Sequence, residues 1–349
     1  MGFFKTAAFT AMLGMTATAG IAQEVTLRFQ HFVSPNSANP KYFLDPWVEK
    51  VEAESNDRIK IEIYPFMQLG GKATAQYDLI RDGVIDGGWV IPGYTPGRFP
   101  EAEALELPFM VTKSAEEASR AAWAYTQQHL MDDFADVHLI AAHMHGPGIV
   151  HKTGPAIEDL TDFAGLKLRG PSRPATLLLD KLGAEPIGLP VPQFPEALSK
   201  GVVDGGVITW EMSPSLKLDE LTDSHTDVAG DKSLYNLYFL WAMNKDSYNA
   251  LPDDLKAVID ANSGLETSAM AGRAHDIGDR EGRALMEDAG NEIATLNEAE
   301  TARIVALGNA VTQDWIAEMT ERGLDAAQLV DDARAAVEAT RDTATDTDG

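Results

Sequence analysis

The 349-residue sequence contains no cysteine. Thiolate metal sites and cysteine nucleophiles are therefore excluded, and the fold must hold without disulfides, which a chain of this size can do from its core alone. Basic residues are scarce, with 28 Lys and Arg against 54 Asp and Glu and a formal net charge of −26. Such a surface repels nucleic acid and anionic lipid head groups, and it makes any cation in a pocket conspicuous as an anion ligand. Beyond residue 22 no apolar run approaches the ~18 residues of a membrane helix. Enzyme signatures are also missing: no Gly-x-Ser-x-Gly, His-Glu-x-x-His or Walker loop occurs. Proline stops at Pro252, and the following 97 residues (349 minus 252) contain none. Leu255, Val258, Ile259, Asn262 and Leu265 keep helical spacing, as do Ile304, Leu307, Val311 and Trp315. The C-terminal third is expected to be mostly helix, with one long helix over about 253–294 that Gly264, Gly272, Gly278 and Gly282 should bend or break.

What is present begins with a leader. Lys5 precedes an apolar run over 7–13, and small residues over 16–22 point to cleavage near Ala22. The mature chain is expected to be exported, and lack of disulfides suits a bacterial periplasm. Residues 341–349 read as a disordered polar tail.

The most informative feature is a near-repeat. Asp82-Gly83-Val84-Ile85-Asp86-Gly87-Gly88 recurs as Lys200-Gly201-Val202-Val203-Asp204-Gly205-Gly206, 118 residues later (201 minus 83). In each copy a helical stretch ends at the first glycine and an apolar strand follows the glycine pair. Two αβ units of one build predict two α/β lobes with a cleft between them. Alternation predicts strands from Val25, Leu27 and Phe29 and from Ile59, Ile61 and Ile63, with Asp45-Pro46 starting a helix between them. Helix is further predicted over 115–134 and strands over 137–143 and 149–152. Lobe I is assigned to 23–146 plus about 235–274, and lobe II to 147–234 plus about 275–340.

Arg169 ends the short strand of Leu166-Lys167-Leu168-Arg169 just before Gly170-Pro171, so its guanidinium can project into the cleft and grip a carboxylate through paired charge-assisted hydrogen bonds. Trp210 and Glu211 follow the second repeat strand, as Gly93-Tyr94 follow the first. Trp210, Tyr94, Trp89 and Phe194 are candidates for an aromatic wall, and His145 and His31 for polar contacts. Glu211 beside an anion site implies an arginine partner or a bridging cation. His143-x-His145 has metal-site flavour, so a metallohydrolase using His143, His145 and Glu211 is an alternative.

Several stretches carry a family resemblance: Tyr64-Pro65-x-x-Gln68-Leu69-Gly70-Gly71, Gly93-Tyr94-x-Pro96-Gly97-Arg98-Phe99-Pro100 running into Glu106-Leu107-Pro108-Phe109, and above all Gly165-Leu166-Lys167-Leu168-Arg169-Gly170-Pro171 followed by Leu182-Gly183-Ala184-x-Pro186. Together they resemble the DctP-type solute-binding proteins of TRAP transporters over essentially the whole mature chain. That resemblance implies a two-lobed flytrap with a long C-terminal helix spanning both lobes, no catalysis and no cofactor. It implies a monomeric periplasmic receptor that closes on an organic-acid anion, pairs its carboxylate with Arg169, and hands it to a sodium-driven membrane permease. A ligand sensor docking to a receptor is a further alternative. The chain departs from the family where many relatives carry a second arginine, reading His145-Gly146-Pro147-Gly148 there. That departure argues against a ligand with many charges, with His145 substituting in part; Trp89, Tyr94, Phe194 and Trp210 suggest a monocarboxylate with an aromatic or other apolar body, and mono- versus dicarboxylate stays open.

Overall fold

The computed structural model describes residues 24–345, with side chains to residue 341; the expected leader and residues 346–349 lie outside them. Eleven strands among the described residues form two sheets. They are β1 (Val25–Gln30), β2 (Ile59–Tyr64), β3 (Gly87–Val90), β4 (Val137–Met144), β5 (Gly148–Lys152), β6 (Lys167–Gly170), β7 (Glu185–Gly188), β8 (Gly205–Thr209), β9 (Ser224–Asp227), β10 (Tyr238–Asn244) and β11 (Glu292–Thr295). The first sheet has the order β2-β1-β3-β10-β4 and the second β11-β9-β5-β8-β6-β7. Each has a parallel part built of strand–helix–strand units, into which one strand runs antiparallel: β10 against β3 and β4, and β5 against β8 and β9. The chain passes from the first sheet to the second after β4, returns before β10, and passes again along the Leu265–Ala289 helix before β11. The molecule is thus a two-lobed α/β structure with a long helix running between the lobes.

The repeat has one physical job in both copies. Gly83 and Gly201 adopt φ of 69° and 66°, the left-handed turn that ends each preceding helix. Asp86 then accepts the Arg28 backbone N–H at 2.8 Å, and Asp204 accepts that of Lys167 at 2.8 Å, fixing each new strand beside an older one. Gly88 pairs with Gln30, and Gly206 with Arg169. A side chain at Gly88 would collide with Gln76, and one at Gly206 with the Arg169 stem and the Phe194 ring. Gln30 and Arg169 therefore occupy corresponding slots in the two lobes. Gln30 is closed off within its lobe by Gln76, whose amide donates to the Gln30 carbonyl at 2.7 Å and accepts from the Gln30 side chain at 3.2 Å.

Three expectations about helices change. Asp45-Pro46 does start the α-helix, but Leu44 rather than Asp45 is its N-cap. A π-helical turn, Pro40–Leu44, runs directly into the α-helix Asp45–Glu54, and its wider hydrogen-bonding pattern accommodates the missing N–H of Pro46. The long C-terminal helix breaks at Gly264, where φ is +99°, giving Asp253–Ala261 and Leu265–Ala289, and it stops short of 294 because Gly290 turns left-handed (φ 78°) into β11. Gly272, Gly278 and Gly282 do not break it. They sit where other chain segments press against the helix: a Cβ would lie 2.4 Å from the Ala115 carbonyl oxygen, 2.7 Å from Glu211 Cβ and 1.9 Å from the Trp210 carbonyl oxygen, respectively. Finally, residues 341–345 continue the Ala326–Thr345 helix, tied at Arg341 to Asp231 by an ion pair of 2.5 Å, so helix replaces the start of the expected tail.

Candidate ligand site between the two sheets

The strands β3, β6 and β8 end towards the crevice, as do the β4 and β10 ends that lie together, and the residues just beyond them line one cavity. It is small: the atom-free space, openings to solvent included, is about 360 Å³. The first lobe contributes Phe32, Trp89, Tyr94, His145 and Phe239, and the second Arg169, Val191, Ile208, Thr209, Glu211 and Met212.

Arg169 is only 1% exposed. Its Nε donates to the Leu189 carbonyl at 2.8 Å and Nη1 to the Val207 carbonyl at 2.9 Å. Both are carbonyls rather than carboxylates, so these bonds orient the guanidinium without neutralising it. Nη2 is buried with no hydrogen-bond partner among the described residues. A buried, charge-bearing donor left open is costly unless something else completes it.

The walls are aromatic. Phe32 stacks on Trp89 with ring centroids 5.1 Å apart and planes 1° from parallel; Trp89 stacks on Phe239 at 5.0 Å. Trp89 is locked in that pose because its Nε1–H donates to His143 Nε2 at 2.8 Å. Tyr94 bridges the lobes, its hydroxyl accepting the Val191 backbone N–H at 3.0 Å. Burial raises the Tyr94 pKa, while the Arg169 charge opposes the shift.

At the other polar corner, His145 Nδ1 lies 2.7 Å from the Gly146 carbonyl, and Nε2 has no partner among the described residues. Burial holds this ring far down, at about 3, although the Gly146 hydrogen bond pulls the other way. Glu211 Oε1 accepts from His275 Nδ1 at 3.1 Å and from the Thr209 hydroxyl at 3.4 Å, whereas Oε2 is unpartnered among the described residues. The Glu211 backbone N–H donates to Asp279 at 2.8 Å. Burial first, and the Glu211 charge second, push the Asp279 pKa well above the usual carboxylate range.

The structure thus brings Arg169, Tyr94, His145, Glu211 and Trp89 to one cavity. It does not bring Trp210, Phe194 or His31 there. Trp210 packs edge-on against His151 and His225, Phe194 lies under Gly206, and His31 is buried with its pKa lowered by burial to about 4. Phe32, Phe239 and Thr209 were not anticipated, nor were His275 and Asp279 behind Glu211. The last two had a signal: His275 and Asp279 are four residues apart on the helix face that also carries Gly278 and Gly282, the face made for close approach.

The family model for bacterial extracellular solute-binding proteins, family 7 (DctP), matches residues 29–319. The chain belongs to this family. It is similar to a TRAP solute-binding protein from Rhodoferax ferrireducens solved with copurified benzoate, at 43% identity and a TM-score of 0.89, covering 91% of this chain and 99% of that one. It is similar at 45% identity, with the same TM-score and coverage, to a marine metagenome TRAP solute-binding protein specific for aromatic acid ligands, solved with 3-hydroxybenzoate and with metahydroxyphenylacetate. A third relative, from Bordetella bronchiseptica with bound mandelate, is 28% identical with a TM-score of 0.82, covering 90% of this chain and 98% of that one.

As a TRAP solute-binding protein the chain serves transport and is not an enzyme. This overturns the metallohydrolase alternative, and the geometry gives the reason. His143 is taken up by Trp89 and Glu211 by His275, and no group of three or more His, Asp or Glu side chains able to hold a metal occurs among the described residues.

Proposed function

We propose that the protein is the periplasmic receptor of a TRAP transporter for small aromatic monocarboxylates, released from its leader near Ala22 and delivering its ligand to the membrane permease. The carboxylate meets Arg169 Nη2, and the ring lies among Phe32, Trp89 and Phe239. The observation that carries this reading is the open, buried guanidinium donor inside a small aromatic-walled cavity. The benzoate, hydroxybenzoate and hydroxyphenylacetate bound by relatives above 40% identity support it. The lobes proposed to close over the ligand are 24–146 with about 235–274, and 147–234 with about 275–340. Closure removes the acid from water, where charge-assisted bonds gain strength.

A thermal-shift panel tests the substrate class. Benzoate, phenylacetate and mandelate, with their hydroxylated relatives, should raise the unfolding temperature, while succinate and glucuronate should not, since the cavity has one open cationic donor and little room. Stabilisation by succinate alone would overturn the assignment.

A further inference from the structure

We propose that His145 Nε2 is a hydroxyl acceptor in the same cavity, so that the receptor prefers aromatic acids bearing a hydroxyl on the ring or side chain over the parent acids. This rests on the reading above, that an aromatic carboxylate sits on Arg169.

The tautomer follows from the backbone. A carbonyl oxygen can only accept, so the 2.7 Å contact with the Gly146 carbonyl places the ring proton on Nδ1 and the lone pair on Nε2. That turn is held firmly. The Asn236 amide donates to the His145 carbonyl at 2.8 Å and to the Gly146 carbonyl at 3.3 Å. Asp279 presses on Gly146 so closely that a Cβ there would lie 1.9 Å from its oxygen. Tyr235 meets the imidazole ring at 5.1 Å and 64°. Burial keeps the ring neutral, so the lone pair is present throughout the physiological range.

A census of open groups then describes the ligand. Arg169 Nη2 is an open donor; His145 Nε2 and Glu211 Oε2 are open acceptors. Glu211 is tied through its other oxygen to His275 and Thr209, whereas the other nitrogen of His145 faces a backbone carbonyl and Nε2 is the neutral acceptor left at the cavity. A carboxylate has no proton to give. An unsubstituted aromatic acid would therefore satisfy Arg169 and cover a buried lone pair with hydrocarbon, a mismatch worth on the order of tenfold or more in affinity. A hydroxyl on the same molecule supplies the missing donor.

Isothermal titration of matched pairs tests this: benzoate against 2-, 3- and 4-hydroxybenzoate, and phenylacetate against 3-hydroxyphenylacetate and mandelate. The wild-type protein should bind at least one hydroxylated member about tenfold or more tighter than its parent. In His145→Phe that ratio should fall to about one. Parents that bind wild type as tightly as every hydroxylated isomer would overturn the inference and leave the aromatic-acid reading standing, without reference to any variant. A preference that survives in His145→Phe would overturn it too. Binding of none of these acids would overturn both.

Discussion

Replacing Arg169 by Met removes the guanidinium while keeping an unbranched stem of similar reach. In the ligand-free protein two effects oppose each other. The Leu189 and Val207 carbonyls lose their donors, each worth ~1 kcal/mol, but a buried cation with an open Nη2 disappears as well. The net change in stability should therefore be small, within about 2 kcal/mol. Binding should respond far more. Removing one partner of a buried, hydrogen-bonded charge pair costs ~2–5 kcal/mol, or roughly thirtyfold to several thousandfold in Kd. Thermal unfolding with and without ligand separates the two. At a ligand concentration of a hundred times its Kd, wild type gains ~2.7 kcal/mol. A variant binding a hundredfold more weakly gains only RT ln 2, about 0.4 kcal/mol, at the same concentration. Isothermal titration gives Kd directly. A variant that binds benzoate within tenfold of wild type would refute the role given to Arg169.

Two other sites give independent tests. Gly282→Ala forces a methyl against the Trp210 carbonyl oxygen, 1.9 Å away, so the turn carrying Glu211 must move; stability should fall by ~1–3 kcal/mol, and ligand affinity should fall with it, measured by thermal unfolding and titration. Unchanged affinity would mean that the helix contact does not position Glu211. Glu106 is buried beside β10, and its carboxylate accepts the Tyr238 N–H at 3.0 Å. Burial pushes its pKa up to about 8, against the opposing hydrogen bond from the Tyr238 N–H. The folded protein thus holds a proton that the unfolded chain releases above about 4.5, and the stability this group provides is complete below 4.5 and lost as pH rises towards 8. Glu106→Gln should accordingly be more stable than wild type near pH 8 and no more stable at pH 4.5; a gain independent of pH would contradict this account.

The lobe architecture was legible because its signals are local. Alternation at 25–30 and 59–64 fixes two strands, and each Asp-Gly-Gly copy marks a helix end, a turn and a strand start. Arg169 was legible mainly through the family resemblance, since the pattern alone allows it to share the solvent face of Lys167; the structure buries it beside the crevice. The aromatic walls were only half legible. Trp89 and Phe239 are buried equally on paper with Phe194 and Trp210, and only the meeting of two sheets decides which rings face the gap. The glycines of the Leu265–Ala289 helix failed for the same reason. A glycine that breaks a helix and one that admits a neighbouring chain look identical in sequence, and only Gly264 has the left-handed φ that separates them. The Asp45-Pro46 pair marked the α-helix start correctly, but nothing local in it announced the π-turn, Pro40–Leu44, that runs into it.

The matching slots of Gln30 and Arg169 bear on how emptying affects the receptor. On one side the position is plugged by the protein's own amide pair, so that slot is satisfied whether or not cargo is aboard. On the other side the companion position ends in a cation whose Nη2 has no partner among the described residues. Unloading therefore bears on the two slots unequally: at the guanidinium water must take the place of the guest, while the amide pair needs no replacement.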